Sequence, residues 1–173
     1  MRSLILGGVR SGKSRLAERL ARAGGGDVVY VATATAGDDE MRRRIDEHRA
    51  RRPAGWVTVE EPIRLADALT GHAHPGRCLL VECLTLWLTN LFCADDPALP
   101  ARERAALLRV LPRLPGVLIL VSNETNLGVV PVDPLSRRFC EEAGTLHQEL
   151  AALCDRVVLT VAGLPHVLKG DPL

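Results

Sequence analysis

The sequence predicts an α/β fold, a mostly parallel sheet with helices on both faces, in a single domain spanning residues 1–173. Three observations carry that expectation. Short continuous runs of Val, Leu and Ile alternate with longer stretches of helical periodicity, the pattern of strands buried on both faces and joined by crossover helices. The length, 173 residues, is one domain's worth and enough to bury a substantial core. Apolar residues at 47% and charged residues at 25% are ordinary globular usage, which excludes a disordered, collagen-like or coiled-coil chain.

Each element follows in order. Leu4-Ile5-Leu6 reads as a buried strand closed by Gly7-Gly8. Lys13 to Ala23 reads as a helix with Leu16 and Leu20 on one face, and Gly24-Gly25-Gly26 ends it. Val28 to Thr33 is a second strand. Asp38 to Arg51 is a charged helix whose apolar stripe is Met41 and Ile45, stopped by Pro53 and Gly55. A short strand over Trp56–Val59 and a short helix over Ile63–Leu69 follow. Leu79-Leu80-Val81 is a third buried run, then a helix over Leu84–Phe92. Ala94 to Pro100 is a polar connection, too short for a domain linker, and Arg102 to Leu114 is helical. Val117 to Val121 is the most strand-like run, and Asn123 to Asp133 is a loop. Leu135, Phe139, Leu146, Leu150 and Leu153 mark one face of a long helix. Val157 to Val161 is a late strand, with a short final one over His166–Leu168.

The formal net charge is +1, without the basic excess of a duplex-binding domain, so nucleic acid is not the expected partner. Among 22 basic residues only Lys13 and Lys169 are lysines, and a lysine in so lysine-poor a chain invites a local reason. No apolar run approaches the roughly 20 residues of a membrane span, and the apolar N-terminal stretch is too brief for a signal peptide. The cysteines, Cys78, Cys83, Cys93, Cys140 and Cys154, are odd in number and without CxxC spacing. They read as free thiols of a cytoplasmic protein.

Gly7-Gly8-Val9-Arg10-Ser11-Gly12-Lys13-Ser14 fits GxxxxGK(S/T) between an apolar strand and an amphipathic helix, the context that confirms a phosphate loop. Its backbone N–H groups cradle phosphate oxygens, and the helix N-terminus adds a favourable dipole. Lys13 is expected to bridge the β- and γ-phosphates, and Ser14 to ligate Mg²⁺. Glu82 ends the run Leu79-Leu80-Val81, where a strand-end carboxylate can hold the metal's water shell or act as a base. The residues alone leave a helix cap or an ion pair open for it. No NKxD guanine-reading motif is present, so a switch GTPase is not expected.

The charged helix begins acidic and ends basic, which complements its dipole. Met41, Ile45 and His48 share one face by their spacing, so His48 turns inward, followed by Arg49, Arg51 and Arg52. A neutral imidazole is a competent nucleophile at pH 7, and the arginines suit phosphates. Spacing alone leaves two readings open: such a nucleophile, or a half-buried histidine on a solvated helix. His72, His74, His147 and His166 read as structural or surface residues.

These residues together resemble the bifunctional adenosylcobinamide kinase / adenosylcobinamide-phosphate guanylyltransferase family of cobalamin assembly. The phosphate loop is similar to that family's opening, as are Tyr30-Val31-Ala32-Thr33, Asp38-Asp39-Glu40-Met41 through His48, and Arg52-Pro53-Ala54-Gly55-Trp56. So are Glu82-Cys83-Leu84-Thr85, Thr89-Asn90-Leu91, Asn123-Glu124 and Gly128-Val129-Val130-Pro131. The resemblance runs from about Leu4 to Leu168. It implies a phosphate-loop fold resembling RecA, and phosphorylation of adenosylcobinamide's aminopropanol hydroxyl by ATP or GTP. GMP transfer from GTP to that phosphate then passes through a guanylylated histidine matching His48. It also implies nucleotide contacts at Gly7 to Ser14, Ala32, Thr33, Ala34, Arg49, Ala50, Arg51, Arg52, Glu60 and Glu82, with Lys13, Glu82 and His48 catalytic, and a homo-oligomer, typically a trimer.

The chain departs from the family pattern at Thr125-Asn126, where Val-Gly is usual, at His147-Gln148, where Asn-Gln is frequent, and at Cys140, which replaces a frequent Arg. Two other readings of the residues stay open here: a small-molecule kinase lacking the guanylyl transfer, and a nucleotide-dependent interaction module.

Overall fold

The computed structural model describes residues 1–37, 39–50 and 52–173, with the backbone alone at Met41 and Arg44. The predicted start of the charged helix at Asp38, the contact at Arg51 and the packing of Met41 therefore lie outside the described residues. The strands are β1 (Arg2–Gly7), β2 (Asp27–Ala32), β3 (Val57–Glu60), β4 (Arg77–Glu82), β5 (Val117–Asn123), β6 (Arg156–Val161) and β7 (Leu164–Lys169). The helices are α1 (Lys13–Ala23), α2 (Asp39–Ala50), α3 (Leu65–His72), α4 (Leu84–Phe92), α5 (Leu99–Val110) and α6 (Pro134–Leu153). Among the described residues the strands form one seven-stranded sheet of order β3-β2-β4-β5-β1-β6-β7. All neighbours pair parallel except β6 and β7, which form an antiparallel hairpin.

The period-two geometry of a strand explains the continuous apolar runs. Leu4, Leu6, Val29, Val31, Leu79, Val81, Leu118 and Leu120 face one layer, which holds α3, α4, α5 and α6. Ile5, Val28, Tyr30, Leu80, Ile119 and Val121 face the other, with α1. Trp87 is wholly buried in the first layer and donates its indole N–H to the Ile63 carbonyl at 2.7 Å. All five cysteines are free, and Cys78, Cys83 and Cys154 are buried.

The differences from the sequence reading sit at element ends. The predicted connection up to Pro100 gives its last two residues to α5, because Pro100 fits a first helical turn, which has no N–H to lose. That helix ends at Val110, and Leu111–Arg113 is a 3₁₀ turn. Of the residues that mark one face of α6, Leu135 and Leu153 are exposed. They lie in its first and last turns, beyond the sheet that covers Leu146 and Leu150. The final strand is longer than expected, because β7 pairs along most of β6.

Parallel register brings the C-terminal ends of the strands to one edge. Gly7 pairs with Asn123, Glu82 with Val121 and Ala32, and Ala32 with Glu60. Open α/β sheets bind ligands at that edge, where the strand order reverses beside the first strand.

Candidate active site

The phosphate loop leaves β1 at Gly7 and enters α1 at Lys13. Gly12 caps the helix at φ 98°, a left-handed conformation that side chains rarely adopt. Its α-carbon also lies against the β6–β7 turn, where an added Cβ would stand 3.0 Å from Gly163 Cα. The Gly163 N–H donates to the Ser11 carbonyl at 2.8 Å, so the terminal hairpin buttresses the loop from behind. Val9 and Arg10 form its exposed tip. Lys13 is buried and donates to the Gly8 carbonyl at 3.0 Å. Burial pulls its pKa down, against the opposing pull of Cys83 and Glu82.

Glu82, at the end of β4, joins the two halves of the site. Ser14 Oγ donates to its Oε1, and the Tyr30 hydroxyl donates to its Oε2 at 3.1 Å. The Tyr30 phenol is pushed up, by burial first and by the Glu82 charge second, so it stays a donor. The Arg52 guanidinium lies 3.5 Å from the centre of the Tyr30 ring, a cation–π contact.

His48 reaches this centre from α2. Its Nδ1 stands 3.8 Å from Glu82 Oε1, beyond direct hydrogen-bond reach, with about a third of the side chain exposed. Glu18, one turn after Ser14 on α1, is buried at the same place. Ligand atoms of Glu18, His48 and Glu82 all lie within 4.8 Å of one another, and Glu18 also pairs with Arg22 at 4.0 Å.

Beyond β2 the chain runs through Thr33 and Ala34. The Thr33 hydroxyl donates to the Cys83 carbonyl at 2.8 Å, and Asn90 holds the Thr33 carbonyl at 2.7 Å. Ala50 ends α2 in solvent. Arg49 pairs with Glu60, and Arg52 donates to Thr58 Oγ1 at 3.2 Å. With Trp56 these residues line a groove of about 440 Å³.

The fold thus gathers the phosphate loop, Glu82 and His48 at one point, with Ala32–Ala34, Arg49, Arg52 and Glu60 bordering it. Sequence reasoning missed Glu18 and the role of Tyr30. Both left a signal: Glu18 follows Ser14 by four residues, so it shares that helix face. Tyr30 is the chain's single tyrosine, set in an apolar strand where its hydroxyl needs a partner.

Residues 3–168 match the family model for cobinamide kinase / cobinamide phosphate guanyltransferase. The bifunctional adenosylcobalamin biosynthesis protein CobP of Pseudomonas aeruginosa is 66% identical over 173 residues, covering 100% of both chains. The bifunctional adenosylcobalamin biosynthesis protein CobU of Salmonella typhimurium is 40% identical over 185 residues, covering 98% of this chain and 100% of that one. Among solved structures, the RadB recombinase aligns with a TM-score of 0.52 at 16% identity, over 91% of this chain and 73% of that chain. The type III secretion ATPase EscN of enteropathogenic E. coli aligns with a TM-score of 0.56 at 15% identity, over 92% and 41%. At such identities these two show the fold alone, that of phosphate-loop NTPases. The match along nearly the whole chain and the relatives of full length agree, and the chain belongs to the cobinamide kinase / cobinamide phosphate guanyltransferase family.

Proposed function

We propose that one nucleotide site, where β1, β2 and β4 end, serves both reactions of this family, with His48 as the covalent relay in the second. The observation that carries the reading is the 3.8 Å separation of His48 Nδ1 and Glu82 Oε1, because Glu82 is itself bonded to Ser14 of the phosphate loop. A nucleophile from a polar helix thereby stands beside the loop suited to a triphosphate.

In the kinase reaction the N–H groups of Gly8 to Ser14 and the Lys13 ammonium bind the β- and γ-phosphates of ATP or GTP. Lys13 would exchange its bond to the Gly8 carbonyl for phosphate oxygen. The Ser14 hydroxyl and Glu82 carboxylate are hard oxygen donors already in contact, a set that fits Mg²⁺. Bound there, the metal would supply charge neutralisation on the phosphates. The acceptor is the hydroxyl of adenosylcobinamide.

In the transferase reaction the neutral His48 imidazole attacks the α-phosphorus of GTP. An N–P bond forms, the P–O bond to the leaving group breaks, and pyrophosphate departs. The phosphate of adenosylcobinamide phosphate then attacks the same phosphorus, the N–P bond breaks, and adenosylcobinamide-GDP results. Nδ1 is turned toward Glu82, which leaves Nε2 as the nitrogen free to attack. Arg49, Arg51 and Arg52 offset charge on the phosphates. Glu60, at the end of β3, suits the N1–H and 2-amino donors of guanine. Ala32 to Ala34 form the floor beneath the nucleoside, and Ala50 spaces the arginines.

The reading extends to a cytoplasmic homo-trimer, the assembly the family resemblance implies. Exposed Val161, Leu164 and Leu168 on the terminal hairpin offer apolar surface for contact between copies, and sedimentation at the mass of three chains is the expected result.

Incubation with GTP labelled at the α-phosphate tests the relay. Acid-labile, base-stable label on wild-type protein, mapped to His48 by mass spectrometry and absent from His48→Ala, is expected. Label persisting in His48→Ala, or an adduct mapped to His147, overturns it.

A further inference from the structure

We propose that Glu124 is the base that takes the acceptor hydroxyl's proton in the kinase reaction, and that His147 holds it in position. The inference rests on the kinase activity of the family and assigns a step that Lys13, Ser14 and Glu82 leave open. Both oxygens of Glu82 already accept hydrogen bonds, from Ser14 and Tyr30. A second carboxylate lies at the same sheet edge, one strand nearer the phosphate loop, just past the end of β5.

Glu124 is the first residue beyond β5, and β5 lies directly against β1. Its N–H donates to the carbonyl of Gly7, the residue that opens the phosphate loop, at 3.0 Å. Oε1 accepts the Asn126 N–H at 2.7 Å, which fixes the carboxylate against its own loop. Oε2 faces His147 Nδ1 at 3.9 Å. That nitrogen is buried with no hydrogen-bond partner, an arrangement that costs free energy unless a nearby acceptor closes the gap. His147 Nε2 meets the Ser122 hydroxyl at 2.8 Å. With that hydroxyl donating to Nε2, the ring proton sits on Nδ1 and points at Glu124. Burial pulls the His147 pKa down, which keeps the ring neutral. Ser122 itself is wholly buried, so the trio cannot act as a serine nucleophile and base, and its outward end is the carboxylate.

The residues that follow Glu124 in the chain, from Thr125 to Pro131, form with α6 a groove of about 370 Å³, with Asn126, Gly144 and Gln148 in its wall. It has the size of an alcohol arm rather than of a macrocycle, so it suits the hydroxyl-bearing arm with the corrin ring left outside. The step balances. The arm's oxygen forms a bond to the γ-phosphorus, and the bond from that phosphorus to the β–γ bridging oxygen breaks. The nucleoside diphosphate leaves with the electron pair, and the hydroxyl proton passes to Glu124. That proton returns to solvent when the product departs.

The test is steady-state kinase turnover with adenosylcobinamide and ATP for wild type, Glu124→Gln and Glu124→Asp, with nucleotide affinity and melting temperature measured on each. Removing a general base costs about 10²–10⁴-fold. For Glu124→Gln a fall in kcat of at least about 100-fold is expected, with ATP affinity within about threefold and partial recovery in Glu124→Asp. His147→Leu is expected to lower kcat about tenfold without changing ATP affinity, whereas His147→Asn, which keeps an N–H donor, recovers it. Turnover of Glu124→Gln within about fivefold of wild type, or a loss matched by lost ATP affinity and a lowered melting temperature, overturns the proposal. Failure of the wild type to phosphorylate adenosylcobinamide would remove the kinase activity itself, a different result.

Discussion

The two shoulders of the site are built on opposite terms. The phosphate loop is anchored at every side: Leu4 and Ile5 before it are wholly buried, α1 after it buries Leu16, Ala17 and Ala21, and the hairpin turn bonds its back. Helix α2, which brings His48, buries none of its described side chains. Ile45 and His48 are half-buried, and the rest lie in solvent. Its form owes more to its charges, with Asp39 and Glu40 in the first turn and Arg49 in the last. Segments with few buried contacts open at low free-energy cost. The contrast fits the two tasks proposed: phosphate recognition needs fixed N–H groups, whereas the relay proposed for His48 must meet first a nucleotide and then a second substrate.

The sharpest way to break the comparison is Lys13→Ala. If the anchored shoulder binds the triphosphate for both reactions, kinase turnover falls by at least about 100-fold, and labelling of the protein by GTP falls with it. Kinase turnover within about tenfold of wild type would mean the loop is not the phosphate site. Retained labelling with lost kinase turnover would mean that the two reactions use separate nucleotide sites.

Glu82→Gln probes the joint between the shoulders. It keeps the shape and the Tyr30 bond but removes the charge that Ser14 and His48 face. Kinase turnover is expected to fall roughly 10- to 100-fold with a raised Mg²⁺ requirement, read by titrating the metal at fixed ATP. Unchanged turnover and metal dependence would leave Glu82 a structural strand-end residue.

Ile45→Ala probes the loose shoulder by itself. Among the described residues of α2, Ile45 is a half-buried apolar side chain. The expected cost to global stability is about 1 kcal/mol or less. The rate of His48 labelling should fall severalfold while kinase turnover holds, since the phosphate loop is untouched. Equal losses in both reactions would show α2 to be as firmly integrated as α1.

How much of this was legible in the sequence follows the same division. The phosphate loop, β4 and Glu82 were readable because motif and apolar run coincide: Leu79-Leu80-Val81 can only be a buried strand, and its end points at the ligand edge. His48 was half-legible. Its spacing from Ile45 put it on an inward face, but nothing local says that His48 meets the end of β4, and the family resemblance supplied the role proposed for it. Glu18 was legible only as a neighbour of Ser14 on one face of α1, whereas the Ser122–His147–Glu124 trio was not legible as a site, because its members come from separate elements and meet only through the fold. The exposure of the two ends of α6 was not legible, because helical periodicity does not report where the covering sheet stops.

The smallest effect uses His147, on the anchored side, as a reporter of stability. Its pKa is lowered by burial, with the Glu124 charge opposing, so the unfolded chain binds a proton more readily than the folded one. Stability then rises with pH across the interval between the folded value and about 6.5. It is fully present above the unfolded value and lost as pH falls through the folded one. Thermal melting of wild type and His147→Asn between pH 8 and pH 5 should show curves that run together above about pH 7 and separate below it. The wild type should fall the more steeply, because the asparagine has no proton to gain. The same scan on His48→Ala should follow the wild type at every pH, since His48 stands on the half-exposed shoulder and contributes little to global folding. Parallel curves for wild type and His147→Asn would place His147 in a looser, hydrated setting and erase the contrast between the two shoulders. A separation caused instead by His48→Ala would invert it, making α2 the element on which acid stability depends.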